Sequence, residues 1–374
     1  MENLLNYVHL RKDISFKERK LNSVDLLIFS ELAYVDFSIE MENGPILLPE
    51  ACRHYIESRS PEYIKGYFCF SNNIPVLVQE LCECPRYANV WIRKVEQCND
   101  DEKKIQFGAT LFQIEDKDMI VSYRGTDASM TGWKENMQMT YMDDLPCQKM
   151  AVSFFDSIID EIPAESYLFG FFQKKKIPNF YLTGHSKGGH LAMYTFLNTQ
   201  YPAQVKKCQV FDAPGFRSSF VKSLENRDIF SQIENIKPQD SIIGCLMEHP
   251  EKETVIKAQE EGLLQHDAFY WSIQPEGFEK TKSLSIKSHD TIALIDRLLL
   301  SKSDEQKKEA IDLIFSILDR LDITSVSGLN EIHFRQIFQG VIELKNMTQE
   351  ERKFMFDIIR FLVSQTASWM KTQK

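Results

Sequence analysis

The sequence predicts an α/β protein: a mostly parallel central sheet flanked by helices, followed by a helical C-terminal appendage. Two observations point there. In the middle of the chain, short apolar runs alternate with stretches of helical periodicity, the pattern of strands joined by crossover helices. After about residue 287 the strand signals stop and only amphipathic helix spacing remains. A length of 374 residues suits one large domain, residues 1–301, and an appendage, residues 302–374.

The elements follow in order. Residues 21–37 place Leu26, Leu27, Phe29, Leu32, Ala33 and Phe37 on a helix-like stripe, and 74–83 form a second helical stretch. A polar break at 98–104 leads to two strands, 106–115 and 119–125. The turn-prone Asp116-Lys117-Asp118 separates them, so they are expected to pair antiparallel. Residues 146–160 resume a helical pattern. The apolar stretch 167–172, ahead of three lysines, is expected to be a helix end packed on the sheet. Residues 179–183, short and apolar between Pro178 and Gly184, form a buried strand, and a helix spans 187–198. Strands follow at 206–214, 232–238 and 253–258. In the appendage, Ile311, Ile314, Leu318 and Leu321 mark a helix over 304–321. Thr348 to Glu351 forms a capping box for a last helix through Phe354, Ile358, Phe361 and Leu362. These helices are expected to pack on the flank of the main domain.

Composition removes several function classes. With 44 Lys+Arg against 54 Asp+Glu the formal charge is −10, which argues against nucleic acid as a main partner and against electrostatic docking on anionic membranes. Hydrophobic residues at 43% and charged residues at 26% are those of a globular chain. The eight cysteines are scattered, so reduced thiols are expected rather than a disulfide framework. Cys82 and Cys84 form a lone C-x-C without a second pair for zinc. The N-terminus has no apolar region behind a basic start, and no apolar run reaches the roughly 18 residues of a membrane helix. A cytoplasmic protein without stable membrane insertion is expected.

The chemistry lies in residues 179–197. Gly184-His185-Ser186-Lys187-Gly188 fits G-x-S-x-G, with an apolar strand before it and an amphipathic helix carrying Leu191, Ala192, Tyr194 and Leu197 after it. That context is the nucleophile elbow, a strained strand-to-helix turn that exposes Ser186 at a helix N-terminus. Gly184 and Gly188 remove side chains that would clash as strand and helix close together. A nucleophilic serine needs a base and a carboxylate to orient that base. Of the downstream histidines, His190 is one helical turn from Ser186 and too constrained, and His249 follows Asp240 closely. His289 opens a helix and His333 lies in the appendage. His266, in a loop after the 253–258 strand, is the expected base. The acid is Asp212 or Asp240, each at a strand end. Position favours Asp240, since Asp212 could equally cap the Pro214-Gly215 turn. An oxyanion hole needs two donors: the Lys187 amide offers one, and Gly125-Thr126, at an earlier strand end, offers a backbone amide and a hydroxyl.

Tyr123-Arg124-Gly125-Thr126 together with Gly184-His185-Ser186-Lys187-Gly188-Gly189 resembles the [FY]-R-G-[ST] and G-H-S-x-G-G pair of class 3 (fungal-type) lipases. A bacterial branch of lipase-like proteins is closer still, through Arg124 to Asp127, Gly132 to Glu135, Asp240 to Gly244 and Gln265 to Asp267. The resemblance covers about residues 21 to 290. It implies an α/β-hydrolase with a Ser186–His266–Asp240 triad and with Thr126 and the Lys187 amide as oxyanion donors. The implied reaction is cleavage of a small-molecule or lipid acyl ester, without a metal or organic cofactor. It also implies that Asp240, at the head of Asp-Ser-Ile-Ile, is the acid in preference to Asp212. Lys187 departs from the pattern, which usually has a neutral residue there; its side chain is expected by the pocket or in solvent. His190 departs too, standing where the related branch tends to have Asn. Residues 127–147 lie where class 3 lipases carry a mobile lid, and Met130, Met137, Met139 and Met142 there suit either an acyl site or a small core. The same triad would also serve a thioesterase or amidase. A non-catalytic hydrolase-fold protein that binds a partner through 302–374 is a further alternative.

Overall fold

The computed structural model describes residues 3–320, other than 69–70, 116–117, 128, 168–171, 176, 225–226 and 301. Its centre is an eight-stranded mixed sheet, built from β1 (Ile46–Leu47), β2 (Val90–Asp100), β3 (Ile105–Ile114), β4 (Asp118–Tyr123), β7 (Asn179–Gly184), β8 (Val205–Phe211), β9 (Ile233–Pro238) and β10 (Lys252–Ile256). Two short ribbons lie outside it, β5 (Ala164–Tyr167) with β6 (Phe172–Lys175) and β11 (Ile273–Gln274) with β12 (Gly277–Phe278). The first four strands of the sheet pair antiparallel in sequence order. From β4 onwards β7, β8, β9 and β10 add in parallel, each reached by a crossover. This is the α/β-hydrolase architecture expected from the sequence, and the parallel half places every strand's C-terminal end on one edge.

Helices cover both faces. On one side lie α1 (Leu4–Arg11), α2 (Ser23–Leu32), α3 (Leu48–Glu57), α4 (Pro61–Tyr67) and α5 (Asn73–Leu81). Helix α2 is buried almost all round because it lies between the sheet and its neighbouring helices, which explains its nearly unbroken apolar run. Its first turn is closed by Asn22 and Asp25 in a capping box, and Asp25 also takes the buried Arg86 guanidinium at 2.6 Å. On the other side α7 (Pro146–Asp160) and α8 (Lys187–Asn198) pack around Phe154, Phe155, Phe180, Leu182 and Leu191. Helix α6 (Met130–Gln138) and the short α9 (Ser218–Ser223) stand beyond them, then α10 (Ile286–Leu300) and α11 (Asp304–Arg320). Helix α11 buries Ala310, Ile311, Ile314, Phe315 and Leu318, the stripe its periodicity predicts.

Two expectations change. Strand β2, a full partner of β3, begins at Val90, within a stretch assigned no element from the sequence, and it runs on into the polar break at 98–104. Half-buried charged residues such as Arg93, Lys94 and Glu96 hide its alternation. The stretch at 167–172 is flanked by a β ribbon rather than ending a helix; four residues of aromatic and polar character on either side pair as strands. The capping box at 348–351 and the last helix lie outside the described residues.

Candidate active site

Ser186 sits between β7 and α8 with φ 57° and ψ −131°, a conformation that costs a non-glycine residue strain and persists only where its surroundings impose it. They do so here by close packing. A Cβ on Gly184 would meet the Gly188 carbonyl carbon at 2.3 Å, and one on Gly188 would meet the Tyr123 carbonyl oxygen at 2.0 Å. The Ser186 amide donates to the Phe211 carbonyl at 2.9 Å, stitching the turn to β8. Lys187 is the first residue of α8, where helix geometry leaves the amide without an intrahelical acceptor.

His266 ends a 3-10 turn at Gly262–His266 and stands between two oxygens: its Nε2 is 2.9 Å from Ser186 Oγ and its Nδ1 is 2.6 Å from Asp212 Oδ2. Asp212, not Asp240, is therefore the carboxylate on the imidazole, and this corrects the sequence expectation. The reason is topological. Asp212 leaves β8, the immediate neighbour of β7, which leads into Ser186, whereas Asp240 leaves β9, one strand spacing further out. Asp240 instead accepts the Gly262 amide through Oδ2 at 3.0 Å, while its own amide donates to Gln265 Oε1 at 2.9 Å. It holds the loop that carries His266. The rest of the Asp240–Gly244 motif serves Asp212: the Ser241 hydroxyl donates to Asp212 Oδ1 at 2.5 Å, and a Cβ on Gly244 would strike that oxygen at 2.1 Å.

Burial acts to raise the Asp212 pKa, but the hydrogen bond to and charge of His266, with the Ser241 hydroxyl, outweigh it and hold the carboxyl below its usual value. Behind His266 lies a buried set that the sequence did not single out. His185 Nε2 donates to the His266 carbonyl at 2.8 Å, which leaves Nδ1 to accept from the Tyr34 hydroxyl at 3.2 Å. Burial, with the neighbouring His266 charge, lowers the His185 pKa to about 3, so this ring is neutral and its tautomer is set by the carbonyl. Glu31 Oε1 lies 3.6 Å from that Nδ1; burial and the Asp267 charge push its pKa well up. Asp267 is raised to about 6 by burial, against the pull of the Phe269 amide and the Ser71 hydroxyl.

Thr126 Oγ1 is bracketed by the Asn136 side-chain amide, accepting from Nδ2 at 2.8 Å and donating to Oδ1 at 3.0 Å. The Lys187 side chain neither faces solvent nor lines an open pocket. It is buried, with Nζ 2.6 Å from Glu135 Oε2, 2.8 Å from the Gln106 carbonyl and 2.7 Å from Gln106 Oε1. Met130, Met139, Trp133 and Tyr141 are buried, so this part of the 127–147 segment packs as core.

The other histidines are engaged elsewhere. His190 pairs with Gln148 at 2.8 Å and donates to the Gly215 carbonyl at 2.9 Å, and burial lowers its pKa to about 4. His289 is exposed on α10, and His333 lies outside the described residues. Ligand atoms of His249, Glu251 and Glu253 come within 4.8 Å of one another, but the Lys237 ammonium is already bonded to Glu253. His249 is also committed, to Glu251 and the Leu246 carbonyl. That group reads as an internal charge network. Among the described residues, no helix is long and apolar enough to cross a membrane.

Residues 81–316 match the family described as Mbeg1-like. No curated protein matches the chain. Among solved structures, a lipase from Rhizopus microsporus var. chinensis is 13% identical, with 63% of this chain and 75% of that one covered and a TM-score of 0.38. The Lip2 lipase of Yarrowia lipolytica is 13% identical over 47% of this chain and 69% of its own, TM-score 0.33. The Rhizomucor miehei lipase in its propeptide complex is 11% identical over 53% and 70%, TM-score 0.30.

Proposed function

Starting from a chain that belongs to the Mbeg1-like family, we propose that it is a serine hydrolase of acyl esters acting through Ser186, His266 and Asp212. The observation that carries this reading is the single imidazole held between Ser186 Oγ and a buried carboxylate. In this reaction Ser186 Oγ attacks the ester carbonyl while His266 Nε2 takes its proton. The Asp212 carboxylate accepts from Nδ1–H, keeping Nε2 free as the base and stabilising the imidazolium. The Lys187 amide and the Thr126 hydroxyl donate to the oxyanion. His266 then delivers its proton to the leaving alcohol, and water activated by the same imidazole releases the acid and restores Ser186.

Labelling with a fluorophosphonate probe followed by peptide mapping tests the nucleophile: modification is expected at Ser186 and is expected to vanish in His266→Ala. Ser186→Ala should lower kcat by roughly 10⁶. Thr126→Val should lower it by roughly 10²–10³, with KM little changed, because the lost donor acts on the transition state. A Ser186→Ala protein that keeps most of its turnover would sink the assignment. Matched oxygen and sulfur esters separate an esterase from a thioesterase; the oxygen ester is expected to be the better substrate. The Ser186–His266–Asp212 arrangement supports an ester substrate, small or lipid, and a cytoplasmic setting is part of the same proposal.

A further inference from the structure

Helix α6 borders the proposed oxyanion side of the site through consecutive residues, Glu135 toward Lys187 and Asn136 toward Thr126. We infer that α6 is a fixed wall of the site, fastened from inside by the Lys187–Glu135 ion pair and from outside by α11, and that the substrates are therefore molecularly dissolved esters rather than esters met at a lipid surface. The second half rests on the hydrolase reading; the first does not.

The inside fastening is complete at the ammonium. Lys187 Nζ has three partners for its three protons, Glu135 Oε2 and the two oxygens of Gln106, and Glu135 Oε2 also accepts the Gln106 amide at 3.0 Å. Lys187 and Glu135 are at most 1% exposed. Swinging α6 away would strand two charges in apolar surroundings, the situation in which a broken buried pair is strongly unfavourable. Trp133 and Met130 of the same helix are buried with it, and the Thr131 hydroxyl donates to Asp101 at 2.5 Å.

The outside fastening comes from the C-terminal side of the chain. Lys134 Nζ is 2.9 Å from Asp312 of α11 and lies over the Phe315 ring at 5.8 Å. Just beyond α6, Arg217 donates to the Tyr141 carbonyl at 2.9 Å and pairs with Asp143 at 3.1 Å and with Asp304, the first residue of α11, at 2.5 Å. The next residue is held too, by the Tyr194 hydroxyl on Asp144 at 2.7 Å. A cover that opens on contact with a surface is hinged and lightly held. This helix is pinned on both faces and at its exit.

Hydrogen exchange of amides 131–139 in the full chain, with and without Triton X-100 micelles and phosphatidylcholine vesicles, reads the first half directly. Rates within twofold of each other are expected; a tenfold rise with micelles or vesicles overturns the fixed wall. Glu135→Gln is expected to speed exchange at 131–139 at least tenfold, and unchanged exchange in a folded variant removes the ion pair from the role. Should the variant not fold, the wild-type comparison still decides. For the second half, tributyrin turnover is followed across its solubility limit: one hyperbola through the limit is expected, and a step of several-fold overturns it. If the protein turns over no ester and Ser186 takes no fluorophosphonate, the hydrolase reading fails on its own, while the exchange result stands for α6.

Discussion

The ends of β8 and β9 carry the same residue type at equivalent places, and only one of the two aspartates touches the histidine. Asp212 follows the strand beside β7, adopts φ 44°, and gives one oxygen to His266 and the other to Ser241. Asp240, one strand out, spends its carboxylate on the Gly262 amide and its own amide on Gln265. The first holds the His266 ring; the second holds the loop that carries it. Two aspartates at neighbouring strand ends thus make different contacts, and the difference follows from their distance to β7.

Exchanging each carboxylate for an amide tests that division. Asp212→Asn should lower kcat by about 10⁴, because an amide can stabilise the wrong imidazole tautomer and cannot balance the imidazolium. Asp240→Asn keeps an oxygen that can accept the Gly262 amide, so kcat is expected within about tenfold of wild type, with a stability loss of about 1 kcal/mol in a denaturant titration. The reverse pattern, severe loss at 240 and mild loss at 212, would restore Asp240 as the acid.

A smaller effect separates Asp212 from Asp267, the residue after His266. The Asp212 carboxyl is held below its ordinary value, so its contribution to stability is present above the unfolded-state pKa and is lost as pH falls through the folded one. Asp267, raised from 3.8 to about 6, works in the opposite sense: the folded state keeps a proton that the unfolded state releases, and stability declines as pH rises between those values. Asp267→Asn can retain the bond to the Phe269 amide without the charge. At pH 7 it is expected to be more stable than wild type by roughly 1–3 kcal/mol, with the two melting curves converging near pH 4. A variant less stable at pH 7 would show that the Asp267 charge is compensated by its surroundings.

Much of the site was legible because its signals are local. The elbow needs glycines at fixed offsets from Ser186, since two backbones close to within a Cβ radius there, and the strand before it and helix after it show in their apolar spacing. His266 was legible for a related reason: a base must come from a loop after a later strand, and few histidines qualify. The stripe of α11 was equally readable from Ile311, Ile314 and Leu318. Strand β2 was not, because one of its faces is only partly covered and its charged residues break the alternation.

The amino-acid order by itself determined the α/β class, the strained serine turn and the histidine that faces it, all consequences of spacing along one stretch of chain. Only the tertiary structure decided whether Asp212 or Asp240 bonds His266, turned Lys187 inward onto Glu135, and placed Tyr34 and His185 behind His266. Those outcomes depend on which strands become neighbours and on which charges end up sharing a water-free space. Both are set by packing among segments 50 to 150 residues apart in the chain, as with the 54 residues between Asp212 and His266 and the 151 between Tyr34 and His185.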